Sequence, residues 1–305
     1  MTPYLSVIVP TKNRASSLKR TLSGLTSQVA PRGGFELIVV DNGSGDGTAA
    51  VLNEATFGTA TTLKAITHPD GGPAEARNAG VAAAEGKVIL LLGDDTEPGN
   101  SRLLADHVDC HRQDPDPCYA VLGRITWNPR SKPTSFMRWL EDGGPQFHFS
   151  EISAGNVPVD RYFYSSHVSL KRQIFDTVGG FDQRFPFAAV EDTELGVRLA
   201  RLGIILDYRP ELLVLHDHPT TLPQSLRRSV QVGRAAALYN RVHPDHPHPQ
   251  IAAPSGLPWS LLRLAEPALR VAVRIPLPMV VRGKLWLALH RARYAEGFRL
   301  GPPSP

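Results

Sequence analysis

At 305 residues the chain is long enough to bury one large core and carry an extension beyond it. Its 42% hydrophobic and 20% charged content exclude a disordered chain, and a net charge of +4, from 33 basic and 29 acidic residues, is too mild to imply nucleic acid. Two cysteines, Cys110 and Cys118, exclude a disulfide framework and lack zinc-ligand company, so reduced thiols in a cytoplasmic protein are expected.

Leu5 to Pro10 reads as a strand that begins at once, without the charged and apolar segments of a signal peptide. Leu18, Leu22 and Leu25 then recur at helical spacing. Phe35 to Asp41 is a second strand, closed by the turn formers Asn42-Gly-Ser-Gly-Asp-Gly47. Leu63 to Thr67 is a third. Pro73 opens a helix that runs to Ala84 and stops at Glu85-Gly86. Val88 to Leu92 is wholly apolar, the pattern of a strand covered on both faces. This alternation predicts a parallel sheet with flanking helices.

Further on, Leu103 to His111 reads as a helix and Tyr119 to Trp127 as a strand. Residues 128–160 are rich in Pro, Gly and polar residues around one short helix, Phe136 to Leu140, as in a loop-rich insertion over a site. Tyr162 to Leu170 is expected as a strand and Lys171 to Val178 as a helix. Glu191 opens a helix with Leu195, Leu199 and Leu202 on one face and Gly203 at its end. Pro244-Asp-His-Pro-His-Pro249 resembles a linker. Residues 250–300 suit amphipathic helices packed on the main domain, with a peripheral membrane contact through Arg263, Arg270, Arg274 and Arg282 as the alternative. No apolar stretch reaches the roughly 18 residues of a spanning helix.

Four polar clusters follow strands or open helices: Pro10 to Arg14, Asp41 to Asp46, Gly93 to Thr96 and Glu191-Asp192. In open α/β sheets such positions share one ligand-binding crevice. Asp94 and Asp95 form either a solvated turn or, if buried, a pair that needs a cation between them. Asp41 suits a ribose or base, although Asp-Asn-Gly-Ser is also ordinary turn chemistry. The sequence holds neither G-x-G-x-x-G after the first strand nor G-x-x-x-x-G-K-[ST], which removes the main support for a dehydrogenase or a P-loop enzyme.

Six motifs stand in one order: Leu5-Ser-Val-Ile-Val-Pro-Thr-Lys-Asn-Arg14, Val39-Val-Asp-Asn-Gly-Ser44, Ala76-Arg-Asn-Ala-Gly80, Leu91-Leu-Gly-Asp-Asp95, Val178-Gly-Gly-Phe-Asp182 and Glu191-Asp-Thr-Glu-Leu195. Over about residues 3–220 this series resembles family 2 glycosyltransferases. The resemblance implies an α/β GT-A fold with a mostly parallel sheet and a helical C-terminal extension. It also implies inverting transfer of one sugar from a nucleotide-diphosphate donor, with Mn²⁺ or Mg²⁺.

Carried over by position, Pro10, Thr11, Asn13, Arg14, Asp41 and Ser44 line the nucleotide-sugar pocket, with Arg77 near the nucleotide. Asp94 and Asp95 fall in the D-x-D region. Asp192 takes the place of the general base, with Glu191 beside it, and His216 that of a metal ligand, with His218 as alternate. The chemistry agrees: a divalent cation offsets charge on the leaving diphosphate, and a base accepts the acceptor's proton. Acidic residues in a first helical turn also complement the helix dipole without any catalytic role.

Two positions depart from the family pattern. Gly93 stands where many members carry the first aspartate, which leaves Asp95 as the assigned metal carboxylate and Asp94 as alternate. Gln224-Ser-Leu-Arg-Arg228 lacks the tryptophan of processive synthases, so single-sugar transfer to a glycan or lipid-linked acceptor is expected. The implied domains are 1–242 (nucleotide-binding half 1–98, acceptor half 99–242) and an extension over 243–305. A non-catalytic nucleotide-sugar binder and a sugar nucleotidyltransferase are the rivals; the second usually opens with a Gly-rich loop, which Pro10 to Arg14 is not.

Overall fold

A computed structural model describes residues 2–55, 61–68, 71–248, 266–269, 271, 272, 275 and 277–302. Two compact units result: one drawn from Met1–Lys132 and Ile152–His218, the other from Pro133–Glu151 and Pro219–Pro305.

The first unit is built on a nine-stranded sheet. Strands β1 (Leu5–Thr11), β2 (Phe35–Asp41), β3 (Thr61–Thr67) and β4 (Val88–Leu92) pair in parallel in the order β3-β2-β1-β4. Next come β5 (Thr96–Pro98), β6 (Tyr119–Trp127), β7 (Gly155–Val157), β8 (His167–Lys171) and β9 (Ile205–His216). β8 runs antiparallel between β4 and β6, β9 lies parallel beside β6, and β5 and β7 pair antiparallel with β9. β2 and β4 are buried along their whole length, as their apolar runs predict for central strands.

The helices of this unit are α1 (Ala15–Thr26), α2 (Thr48–Glu54), α3 (Pro73–Ala82) and α4 (Leu103–Gln113), followed after the second unit's α5 (Ser135–Asp142) by α6 (Val159–Tyr162), α7 (Arg172–Val178) and α8 (Glu191–Arg201). Gly80 sets how closely α3 lies on the sheet: a Cβ there would come within 2.5 Å of Ile8 Cγ2. Several elements were not expected from the sequence, among them α2 after a glycine-rich turn and the three-residue strands β5 and β7. The strand expected from Tyr162 begins only at His167. Tyr162 instead ends α6, and the buried Phe163 lies beside Gly196 of α8, where a Cβ would sit 3.2 Å from Phe163 Cβ.

Between α4 and the sheet lies a buried chain of imidazoles. His167 Nδ1 is 3.2 Å from the Arg124 carbonyl and so carries the proton. His167 Nε2 then accepts from His107 Nε2 at 3.0 Å, His107 Nδ1 accepts from Ser169 Oγ at 2.9 Å, and Ser169 accepts from His111 Nε2 at 2.8 Å. Gly123 makes the room, since a Cβ there would lie 2.0 Å from His167 Cε1. Burial pushes His111 down to about 3 and His167 to about 4, and holds His107 well below its ordinary value.

An unfolded chain takes up protons near 6.5 that this fold refuses. Stability is therefore full at pH 7 and falls as pH drops from 6.5 toward 4, by up to about 1.4 kcal/mol per pH unit for each histidine. Urea unfolding midpoints at neutral and mildly acid pH measure this, and equal midpoints would refute it.

In the second unit, α9 (Leu222–Val242) packs along α10 (Met279–Leu300). Glycines permit the contact: a Cβ on Gly233 would lie 2.1 Å from Tyr294 O, and one on Gly297 1.9 Å from Val230 O. Ser225 Oγ meets His290 Nε2 at 2.8 Å, and Trp286 packs against Phe136 and Trp139 of α5. Gln224 closes a capping box, its Oε1 accepting from Thr221 N at 2.8 Å, which gives this residue a helix-starting role.

The Pro/His run, expected as a linker, folds back instead. His243 and His248 are buried against Tyr239, whose hydroxyl meets His246 Nδ1 at 2.9 Å. The expected domain break at 242/243 thus falls inside this unit. Pro249, Arg263, Arg270 and Arg274 lie outside the described residues.

Candidate active site

The parallel register places Thr11 opposite Asp41 at the carboxyl edge of the sheet. Two loops leave that edge and are tied to each other. Asn13, in the left-handed region at φ 55°, donates its amide to Ser44 Oγ at 2.8 Å, and its side chain accepts from Gly45 N at 2.8 Å. Asp41 Oδ1 accepts from Ser44 N at 2.9 Å. Thr11, Asn13, Asp41 and Ser44 therefore share one cross-braced pair of loops, and Pro10 is the last half-buried residue before them.

The strand β4 ends beside them in Gly93-Asp94-Asp95. Both carboxylates are buried, at 7% and 9% exposure, which rules out a solvated turn. The cation such a pair needs is Arg14, from a loop 80 residues away in sequence. Its Nη1 bonds Asp94 Oδ1 at 3.1 Å and also Asp95 Oδ2. Thr11 Oγ1 donates to Asp94 Oδ2 at 2.7 Å, and Thr21 Oγ1 to the Asp94 carbonyl at 2.9 Å.

The same Asp95 Oδ2 that meets Arg14 also lies 3.3 Å from His216 Nε2. His216 ends β9, stacks on Trp127 with ring centroids 4.8 Å apart, and is followed by Asp217, whose amide donates to the Asp95 carbonyl at 2.7 Å. Arg20 holds Asp217 in turn, Nε to Oδ2 at 2.7 Å. His218 is more distant, its ring centroid 6.1 Å from that of His216.

The two carboxyls are shifted in opposite directions. Burial, then the charge of Asp95, pushes Asp94 up to about 6, against the pull of Arg14 and Thr11. Burial also opposes ionisation of Asp95, but His216, Arg14 and His218 outweigh it and hold that carboxyl below the usual carboxylate range. Gly93 has a local role: a Cβ there would sit 3.0 Å from Asp95 Oδ1, so glycine leaves room for this carboxylate.

Among the described residues no three His, Cys, Asp or Glu side chains converge as a complete metal cage. Asp95 and His216 form a pair of hard-oxygen and imidazole donors 3.3 Å apart, a spacing that suits two adjacent ligands of one Mn²⁺ or Mg²⁺ ion. Such a pair fits a cation whose remaining ligands are diphosphate oxygens and water.

Arg77, expected near the nucleotide, pairs with Glu191. It is buried in α3, donates to Glu191 Oε1 at 2.9 Å and lies 5.3 Å from the centroid of the Phe181 ring. Its neighbour Asn78 grips the same turn, donating to Phe181 O at 2.9 Å and accepting from Phe181 N at 2.8 Å. Gly180, at φ 72°, leaves a Cβ position 2.6 Å from Asn78 Oδ1. The third, fifth and sixth motifs thus meet one another, and together they brace the start of α8. There Asp192 is half-buried, its Oδ1 accepting from Thr193 N at 2.9 Å. Val190 enters the helix at φ 73°. Thr21, Arg20, Asp217, Trp127 and Asn78 are site neighbours that sequence spacing alone did not single out.

The fold is shared with known proteins. A model of glycosyl transferase family 2 matches residues 6–175, and the chain belongs to that family. It is 30% identical over 281 residues to the pre-mycofactocin glycosyltransferase of Mycobacterium tuberculosis, covering 88% of this chain and 54% of that protein. It is 31% identical over 228 residues to the validoxylamine A glucosyltransferase of Streptomyces hygroscopicus, covering 66% of this chain and 52% of that one. The chain therefore spans about half the length of these relatives. A mannosyltransferase of Pyrobaculum calidifontis, solved with GDP-Man and Mn²⁺, superposes with a TM-score of 0.67 at 20% identity, covering 97% of this chain and 87% of that one. The mostly parallel sheet with flanking helices and a helical C-terminal region is the architecture these neighbours share, and it corresponds to the GT-A expectation.

Proposed function

We propose that the chain transfers a single sugar from a nucleotide-diphosphate sugar to an acceptor hydroxyl, with inversion. The observation that carries this reading is the convergence of Thr11, Arg14, Asp94, Asp95 and His216 on one edge of a family 2 domain. Asp41, Asn13 and Ser44 form the floor for the nucleoside, and Pro10 borders it. Arg14, charged and 38% exposed at its side chain, is placed to meet the diphosphate. Mn²⁺ or Mg²⁺ held by Asp95 and His216, with Asp94 and His218 as alternates, supplies charge neutralisation at the leaving group.

Asp192 takes the proton of the acceptor hydroxyl as its oxygen attacks, and Glu191 fixes the helix turn that presents it. The acceptor class is a glycan or a lipid-linked intermediate, met at the cytoplasmic side with peripheral membrane contact through the C-terminal segment. Residues 1–98 act as the nucleotide-binding half, and the acceptor is met by residues beyond them. A thermal-shift panel of nucleoside diphosphates with and without Mn²⁺ tests the site. Stabilisation of about 2.7 kcal/mol is expected once a ligand reaches a hundred times its Kd. Asp95→Asn should abolish the Mn²⁺-dependent part. If no nucleotide stabilises the chain in either condition, the reading fails.

A further inference from the structure

The second unit carries a cluster of apolar side chains that its own packing leaves in solvent. Val271, Ile275, Met279, Val280 and Val281 are 63%, 51%, 42%, 72% and 42% exposed. All five lie within eleven residues, at the start of α10 and just before it. A groove of about 330 Å³ opens beside Met279 and Val280, lined also by Trp139, Gly283, Lys284 and Leu287. Soluble surfaces rarely group large apolar residues so densely without a partner.

The charge around the cluster selects the partner. Lys284 is exposed beside it, and Arg282 lays its guanidinium 4.8 Å from the centroid of the Trp286 ring, an arrangement that keeps an apolar stem below a polar head. From Leu257 to Pro302 the sequence holds eight Lys and Arg residues against two Glu. A second copy of this surface would bring like charges together, whereas anionic lipid headgroups complement them. Among the described residues no helix is long and apolar enough to cross a membrane, so the contact is interfacial.

We propose that the start of α10, with Val271, Ile275, Met279, Val280 and Val281 as the inserting residues and Arg282 and Lys284 as the headgroup contacts, is a docking surface for an anionic lipid bilayer. This deepens the membrane contact in the proposed function, moving its weight from arginines alone to an apolar tip with a basic rim. It stands without any donor or acceptor bound.

The test uses the full chain and vesicles of phosphatidylcholine with or without phosphatidylglycerol. Wild type should sediment with the anionic vesicles, less so at high salt, and weakly with the neutral ones. Ile275→Asp combined with Val280→Asp should lower vesicle partitioning by about tenfold or more, since both charges oppose insertion. The nucleotide thermal shift of that variant should match wild type, showing an intact fold. Absence of wild-type binding overturns the proposal, as does unchanged binding by the double variant. Conversion of a wild-type dimer to monomer by the same substitutions, without vesicle binding, assigns the surface to a second copy and also overturns it. A chain that sediments yet binds no nucleotide would sink the transferase reading and leave this one standing.

Discussion

Asp192→Asn is expected to lower sugar transfer by about 10²- to 10⁴-fold while nucleotide diphosphate binding stays at the wild-type level. The amide keeps the size of the carboxylate and its bond from Thr193 N, whose acceptor is Oδ1, but it cannot take a proton. Position 192 sits in the first turn of a helix whose entry is anchored by buried pairs, so the substitution leaves those pairs intact. Single-turnover rates together with a product-nucleotide titration separate the two effects. Transfer at the wild-type rate would remove Asp192 from the base role. A parallel loss of nucleotide affinity would place it in the donor pocket instead.

Arg77→Ala carries the largest expected effect on stability. The side chains of Arg77 and Glu191 are 11% and 3% exposed and joined at 2.9 Å. Removing the cation strands a buried carboxylate, a change of about 3–5 kcal/mol in comparable buried pairs. For a chain of this size that is a fall in Tm of roughly 10 °C. Replacing both partners, as in Arg77→Met with Glu191→Leu, should recover much of the stability, because no charge then remains unpaired. The double variant should still turn over slowly, since Asp192 has lost its brace. If Arg77→Ala melts like wild type but binds nucleotide poorly, Arg77 belongs to the donor site after all.

These two residues also show what a linear reading reaches and where it ends. The central strands were legible because a strand covered on both faces must be apolar throughout, as Val88 to Leu92 is. The carboxyl-edge clusters were legible because polar residues at such strand ends have one crevice to share. Tyr162 to Tyr164 misled because aromatic residues favour strands locally, while here Tyr162 and Phe163 are buried in and just after α6.

The counter-ion of Asp94 and Asp95 was out of reach. Arg14 lies 80 residues away, and only the β1–β4 pairing brings it there. Arg77 and Glu191 are 114 residues apart, and nothing in either neighbourhood announces the other. The buried imidazole chain left a partial trace, His107 and His111 one helical turn apart on the face shared by Leu104 and Val108. Its third member, His167, is joined to them only through the sheet.

Val190 has a consequence of its own. A β-branched residue held at φ 73° is strained by about 1–3 kcal/mol, and the fold bears that strain immediately before Glu191 and Asp192. A lineage under pressure for heat resistance alone gains by substituting glycine or asparagine there, which accept this conformation readily. The same lineage would loosen the entry to the helix that presents Asp192. Position 190 is therefore where adaptation to temperature and retention of turnover pull in opposite directions.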